Sequence, residues 1–202
     1  MKILKQLFLQ QGLTFIEAMA ALGILIIGVI AGLTLAAYNL NVSVAAEGRL
    51  LAANFAREGI EVIRQIRDSN WLSGAGWSEN ILEDAENHYR LITKFDPAAN
   101  QWVTQDVTDD IDSCTVCQIY YDSSTGVYNH DPLKEKTDYR RLIRVNHICW
   151  VNGLDQEVIL GIGAVCSGNQ ELIGYQLTAQ VTWRDNNQDH SLEAVDRIYN
   201  WR

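Results

Sequence analysis

The stretch Leu13–Tyr38, LTFIEAMAALGILIIGVIAGLTLAAY, decides the fold. Its only charged side chain is that of Glu17. A helix of about 20 apolar residues is long enough to cross the roughly 30 Å hydrocarbon core of a bilayer. The stretch therefore predicts a membrane-spanning helix over residues 13–38.

The charges on either side of this stretch predict its orientation. Lys2 and Lys5 precede it, and the next charged residues are Glu47 and Arg49. Because positive charges favour the cytoplasmic side, we expect the N-terminus in the cytoplasm and the rest of the chain outside. A secretory signal peptide carries an apolar run of only about 7 to 15 residues, so this stretch is too long for one.

Glu17 is the anomaly in the apolar stretch. A carboxylate at membrane depth costs about 2.5–3.5 kcal/mol on insertion scales, and such residues are usually functional. The simpler alternative is that Glu17 lies at the level of the lipid headgroups. The residues around it favour a function.

The sequence GLTFIE from Gly12 to Glu17 resembles the class III signal of type IV prepilins and pseudopilins. The resemblance implies that a prepilin peptidase cleaves after Gly12 and that the new N-terminal residue, Leu13, is N-methylated. Glu17 would then be the fifth residue of the mature chain. It would pair with the Leu13 ammonium of a neighbouring subunit, since opposite charges attract strongly in an apolar helix bundle.

The same resemblance implies the organisation of the chain. Residues 1–12 would be a cytoplasmic leader, 13–70 a long pilin helix and 71–202 a globular β-rich head. The expected fold class is α+β: a transmembrane-plus-amphipathic helix packed on a C-terminal antiparallel sheet. The precursor would lie in the inner membrane with its head outside and then join a cell-surface or periplasmic filament. Its partners would be other pilin subunits, the prepilin peptidase/methylase and, before assembly, membrane lipid.

Beyond the apolar stretch, residues Ala52–Trp71 resemble the exposed half of the helix in minor pilins of the pilus-modification type. Hydrophobic positions at helical spacing predict a stripe that packs on the sheet of the head. Ion pairs of Arg64 with Glu61 and with Asp68 are expected at the neighbouring helical spacing. The stripe comprises Leu51, Ala52, Phe55, Ala56, Gly59, Val62, Ile63 and Ile66.

The remainder of the chain has short apolar or alternating runs between turn residues, which predicts an antiparallel sheet. The clearest alternation is Tyr175–Trp183, which predicts one buried and one solvated face. Asn152-Gly153 predicts a tight turn between two strands. The expected strands are 88–95, 118–122, 127–130, 139–151, 156–165, 175–183 and 190–201.

The net charge of −9 over 202 residues argues against binding of nucleic acid, which needs clustered cationic side chains. Two small basic clusters are present. A solvated face or a subunit contact explains both more simply. The clusters are Arg140, Arg141 and Arg144, and Arg57, Arg64 and Arg67.

Four cysteines, Cys114, Cys117, Cys149 and Cys166, lie in the predicted exported part, where disulfides persist, so two bridges are expected. If Asn152-Gly153 centres a simple hairpin, Cys149 faces a residue near 158, which favours bridges from the 114–117 loop to the sheet. A zinc site is the alternative, although a second Cys-x-x-Cys knuckle is missing. A thioredoxin-like redox site would need a parallel-sheet pattern that is not seen here.

Four aspartates form an acidic loop that is a weak candidate for calcium, since carboxylate oxygens are its preferred ligands. They are Asp106, Asp109, Asp110 and Asp112. Some pseudopilins bind calcium in the head. The spacing is not that of an EF-hand, so a solvated loop is the preferred interpretation.

The histidines show no catalytic pattern: His88, His130, His147 and His190 are scattered over predicted strands and turns. The sequence has no HExxH pair, no GxSxG elbow and no glycine-rich phosphate loop. We therefore expect no enzyme activity and no cofactor. The resemblance at the N-terminus implies a minor pilin or pseudopilin; the alternative is a membrane-tethered binding or enzymatic domain with an uncleaved anchor.

Overall fold

The computed structural model describes residues 14–82, 89–185 and 187–200. A 59-residue helix, α1 (Phe15–Ser73), precedes the strands of one antiparallel sheet. Of the described residues, those up to Ala46 belong to one compact unit and those from Glu47 onward to a second. The strands are β1 (Arg90–Asp96), β2 (Gln101–Asp106), β3 (Gln118–Asp122), β4 (Val127–Asn129), β5 (Glu135–Val151), β6 (Gln156–Ile159), β7 (Gln170–Asp185) and β8 (Gln188–Tyr199).

Thr14 caps the start of α1. Its hydroxyl oxygen accepts from the backbone N–H of Glu17 at 3.4 Å, and its carbonyl accepts from Ala18. A threonine followed three residues later by glutamate is the sequence pattern of a capping box, and the acidic side chain also suits the positive end of the helix dipole. Glu17 therefore lies in the first turn of the helix.

Helix α1 ends at Ser73, three residues beyond the expected end at residue 70, and Gly74 follows it. Its φ of 77° is in the left-handed region, and its N–H donates to the Trp71 carbonyl at 3.2 Å. The N–H of Ala75 donates to the Asn70 carbonyl at 2.9 Å. These two bonds form a Schellman motif, which satisfies carbonyls that the helix end would otherwise leave open.

The predicted apolar stripe of α1 is confirmed in the second unit. Six of its members are buried, Leu51 and Ile66 are partly buried against the core that α1 shares with the sheet, and Ile60, which was not expected in the stripe, is buried as well. The six are Ala52, Phe55, Ala56, Gly59, Val62 and Ile63. Arg64 pairs with Glu61, as expected, and also with Asp196 of β8. The expected pair with Asp68 is wrong, because that carboxylate is bonded to Arg67.

Strand β5 is the spine of the sheet. Its residues Arg140–Val151 pair with β7, which in turn pairs with β8. Along its other edge β5 pairs successively with β3, β1 and β6. The sheet therefore has one long strand that carries three short neighbours end to end.

The two faces of the sheet carry different cores. The face toward α1 buries Ile143, Val145 and Leu177 with the helix stripe. Because successive side chains alternate between faces, Leu142 points the other way and packs with Cys114 and Cys117 in a smaller cluster. The alternation expected for residues 175–183 is confirmed, with the odd-numbered side chains buried.

The sequence located most strands but misplaced several ends. Strand β3 has the expected bounds, while β5 and β7 begin several residues earlier than expected and β2 was not predicted. The predicted strand at 156–165 is wrong beyond Ile159, where β6 ends. His88 of the first expected strand lies outside the described residues.

Candidate functional site

The helix segment from Phe15 to Ala46, here called the apolar segment, is the first candidate functional site. Of the described residues, α1 is the one helix long and apolar enough to span a membrane by length and composition, and none of its most apolar 18-residue window is buried. Its large side chains are exposed all round, from Phe15 and Ile16 to Val42 and Val44. An apolar surface of this extent requires a lipid or protein cover.

Glu17 is exposed among these apolar side chains. Its neighbours Phe15 and Ile16 are about four-fifths exposed. The carboxylate is thus available to a partner group outside the chain. The predicted cleavage residues Gly12 and Leu13 lie outside the described residues.

All four cysteines form disulfides, as expected, but the favoured connectivity is wrong. Cys114 pairs with Cys117, and Cys149 pairs with Cys166, with Cα–Cα distances of 5.4 and 5.8 Å. Cys149 does face Val158 in the β5–β6 ladder, as the hairpin argument predicted. The chain then leaves the sheet after β6 and turns back, so Cys166 reaches Cys149 from a loop.

The described residues of the head do not support the zinc site or the calcium site that the sequence left as alternatives. The four sulfurs that a zinc site would use are bonded in two pairs as disulfides. Across residues 14–82, 89–185 and 187–200, no three His, Cys, Asp or Glu side chains converge as metal ligands. In the acidic loop, Asp110 forms an ion pair with Arg90 at 3.3 Å, and Asp109 and Asp112 are exposed.

Arg141 is the principal residue that sequence reasoning placed wrongly. The basic cluster with Arg140 and Arg144 predicts a solvated or subunit-contact position for Arg141, but only 2% of this residue is exposed. Nη1 donates to the Phe55 carbonyl at 3.0 Å and to Glu58 at 2.9 Å, and Nη2 donates to the Thr93 carbonyl at 2.8 Å. Arg141 therefore ties β5 to both α1 and β1. Arg141 lies on the same face of β5 as Ile143 and Val145, because side chains two residues apart in a strand point the same way. This alternation is the sequence pattern that indicates its burial.

His130 belongs to the same hydrogen-bonded cluster as Arg141 and its acceptors. Its Nδ1 donates to the Gln118 carbonyl at 2.9 Å, so the imidazole is the Nδ1–H tautomer and Nε2 accepts from Arg141 Nη2 at 3.3 Å. Burial, followed by the nearby Arg141 charge, lowers the pKa of His130 to about 4. The neutral imidazole therefore takes part in the hydrogen bonds of this cluster.

A groove lies beside this cluster and is here called the first groove. Its volume is about 940 Å³, and its walls come from α1, the β1–β2 hairpin and the segment from β3 to Lys134. Lys134 pairs with Asp122 at 2.9 Å on one wall. Hydrogen bonds from Ser124, and then the contact with Lys134, hold the pKa of Asp122 well below its usual range.

The two other described histidines take part in aromatic packing. His147 lies between Tyr89 and Tyr175, with ring centroids 5.8 and 5.2 Å away, and burial lowers its pKa. His190 stacks on Trp183 at 5.3 Å. These positions do not bring the described histidines together into one site.

Comparison of this chain with protein-family models, with curated proteins and with solved structures finds no match. The chain's own features therefore have to indicate its function. These are the N-terminal sequence pattern, the apolar segment and the surface of the head.

Proposed function

We propose that this chain is a minor pilin or pseudopilin, a structural subunit of a type IV pilus-like filament. It is made as a membrane-inserted precursor, cut after Gly12 and assembled through the apolar segment. The proposal rests on the motif from Gly12 to Glu17 and on the unburied apolar segment that follows it.

The exposed apolar segment carries the proposal. Exposing so many large aliphatic side chains to water is unfavourable, at about 25 cal/mol per Å² of apolar surface. Lipid covers them in the precursor, and the same surface packs against neighbouring helices in a filament. Gly23, Gly28 and Gly32 have open space around them in the single chain, and small residues of this kind let neighbouring helices approach closely.

Glu17 supplies the specific contact in this proposal. Cleavage after Gly12 creates a positively charged amine at Leu13, four residues before the exposed carboxylate. A helix that brings its Glu17 to the Leu13 amine of its neighbour neutralises two charges that are costly in an apolar environment. The pair thus sets the axial register between subunits.

The second half of α1 has a different role in the proposed subunit. It forms a wall of the head core, and Arg141 fastens it to the sheet through Glu58. The head is therefore attached to the assembly helix through packed side chains as well as through the chain. This arrangement supports a head that is displayed on a filament.

Mass spectrometry of the N-terminus tests the proposal. The full chain is expressed with a prepilin peptidase, and Gly12→Val serves as the uncut control. We expect a mature chain that begins with N-methylated Leu13 and a control that retains residues 1–12. An intact leader on the wild-type protein in the presence of an active peptidase would contradict the proposal and favour a tethered domain with an uncleaved anchor.

A further inference from the structure

Two grooves on the head share the side chain of Trp102. It lines the first groove and also a second groove of about 330 Å³ between α1 and β2. Both volumes are within the range of about 300–1,000 Å³ that is typical of ligand sites. We call the two grooves together with Trp102 the Trp102 surface.

None of the described residues that line the second groove is charged. Its polar side chains include the amides of Gln65, Asn80 and Gln101 and the hydroxyl of Ser69, and all four residues are exposed. Amides and hydroxyls both donate and accept hydrogen bonds. The groove therefore offers mixed donors and acceptors to a neutral, polyhydroxylated ligand.

The first groove contains charges, but the protein pairs most of them internally. Three cationic and four acidic side chains line it. Lys134 is bonded to Asp122, and Arg141 is bonded to Glu58. Because four of the seven charged side chains form ion pairs with each other and the two signs nearly balance, this groove has little excess charge to attract an ionic ligand.

The aromatic side chains supply an apolar platform. Trp102 meets Phe95 edge to face, with ring centroids 5.7 Å apart and an interplanar angle of 72°. Phe95 is 43% exposed, and Trp102 is partly exposed. A partly exposed indole that also lines the polar second groove is suited to stack on the C–H face of a sugar ring, which buries apolar surface while leaving the hydroxyls free to bond.

From these features we propose that the Trp102 surface binds a neutral oligosaccharide. One sugar ring stacks on Trp102, and the neighbouring units extend into the two grooves. In the second groove their hydroxyls bond to the amides of Gln65 and Gln101. This site is independent of filament assembly, so either proposal can fail while the other stands.

The test uses the full chain in a detergent that has no sugar headgroup, since a glycoside detergent would compete. Mannotriose, cellotriose and N-acetylchitotriose are titrated separately by isothermal calorimetry, with indole fluorescence as a second readout. We expect saturable binding of at least one of them. Trp102→Ala should weaken it about tenfold, Trp102→Phe should retain part of the affinity, and Gln65→Ala with Gln101→Ala should weaken it several-fold.

Trp150→Phe is the matched control, because Trp150 is a partly exposed tryptophan that lines neither groove. It should bind as the wild type does, and melting curves verify that each variant is folded. The proposal is overturned if no probe binds below about 10 mM, or if Trp102→Ala and Trp102→Phe both bind like the wild type. Preference for polygalacturonate or for an extended peptide over every neutral probe would also overturn it.

Discussion

Arg141 Nη1 donates to Glu58 Oε1 at 2.9 Å, which joins the central strand of the sheet to α1 across the core of the head. The guanidinium side chain is only 3% exposed, whereas the carboxylate side chain is 41% exposed. The buried cation therefore depends on its partners more than the carboxylate does. This asymmetry makes Arg141 a test of what holds the head together.

Replacing Arg141 with methionine should lower the free energy of unfolding by about 2–4 kcal/mol, because it removes the links to α1 and β1. Urea unfolding of the full chain in detergent, followed by tryptophan fluorescence, measures the change. Arg184→Met is the control, because that side chain is 57% exposed, and it should shift stability by less than about 0.5 kcal/mol. Equal effects of the two substitutions would contradict the role assigned to Arg141.

Gly59→Ala should destabilise the head by about 1–3 kcal/mol, although alanine is the better helix former. An added Cβ would lie 2.8 Å from Ile143 Cδ1 and 3.3 Å from Arg141 Cδ. Combining it with Ile143→Val removes the clashing methyl group, so the double variant should lose less stability than the two single losses predict. Gly76→Ala, where an added Cβ meets nothing within 4 Å, is the matched control in the same unfolding assay.

The stability of the head should fall as the pH drops from about 6.5 to 4. The pKa of His130 is about 4 in the folded protein against 6.5 for the ordinary value, so the unfolded chain binds more protons in this window. The loss can reach roughly 3 kcal/mol, and it is absent above the window. In His130→Gln the free energy of unfolding should depend less on pH in this window. The pH dependence that comes from His147 should remain in both proteins. An identical pH profile for the two proteins would refute this assignment.

Trypsin should separate the two disulfides onto different peptides. Cleavage after Lys94 and Lys134 gives one fragment with Cys114 and Cys117, and cleavage after Arg144 and Arg184 gives another with Cys149 and Cys166. Non-reducing digestion should therefore yield two unlinked peptides that each gain the mass of two hydrogens on reduction. A cross-linked pair of peptides would show a different connectivity.

The two bridges should also differ in their effect on stability. The 149–166 bridge closes the longer loop and should contribute about 3 kcal/mol by loop entropy, against about 2 kcal/mol for 114–117. Paired Cys→Ala variants compared in urea unfolding measure this order. The reverse order would show that local packing, such as that of Cys114 and Cys117 against Leu142, outweighs the entropy of the loop.

For assembly, Glu17→Gln should enter filaments at least about tenfold less than the wild type, a loss of 1.4 kcal/mol or more. Insertion and cleavage should stay nearly unchanged, because the substitution keeps the size of the side chain and removes only its charge. The control Glu47→Gln makes the same change at an exposed position beyond the apolar segment. Wild-type incorporation of Glu17→Gln would refute the charge pair with Leu13.

The features that the sequence predicts well are those set by local pattern. The apolar segment and the stripe on α1 follow from composition and helical spacing, and they are present with nearly the expected bounds. Alternation predicted the buried face of β7, and the predicted export of the cysteines favoured disulfides. Each of these depends on residues close together in the chain.

The features that the sequence did not predict depend on distant residues. The bridge from Cys149 to Cys166 required knowing that β6 stops at Ile159 and that the chain returns. Burial of Arg141 required knowing that Phe55, Glu58 and Thr93 all supply acceptors. The Trp102 surface required strand β2, whose polar composition hid it. All three features are set by contacts between residues that are far apart in the sequence.

The position of β5 late in the chain has a consequence for synthesis. Phe55 in the helix stripe precedes Arg141 of β5 by 86 residues. At about 5–20 residues per second, the stripe emerges roughly 4–17 seconds before the strand that covers it. During this interval its apolar face is uncovered, and exposed hydrophobic surface of this kind makes a chain prone to aggregation until the strand that covers it has been synthesised.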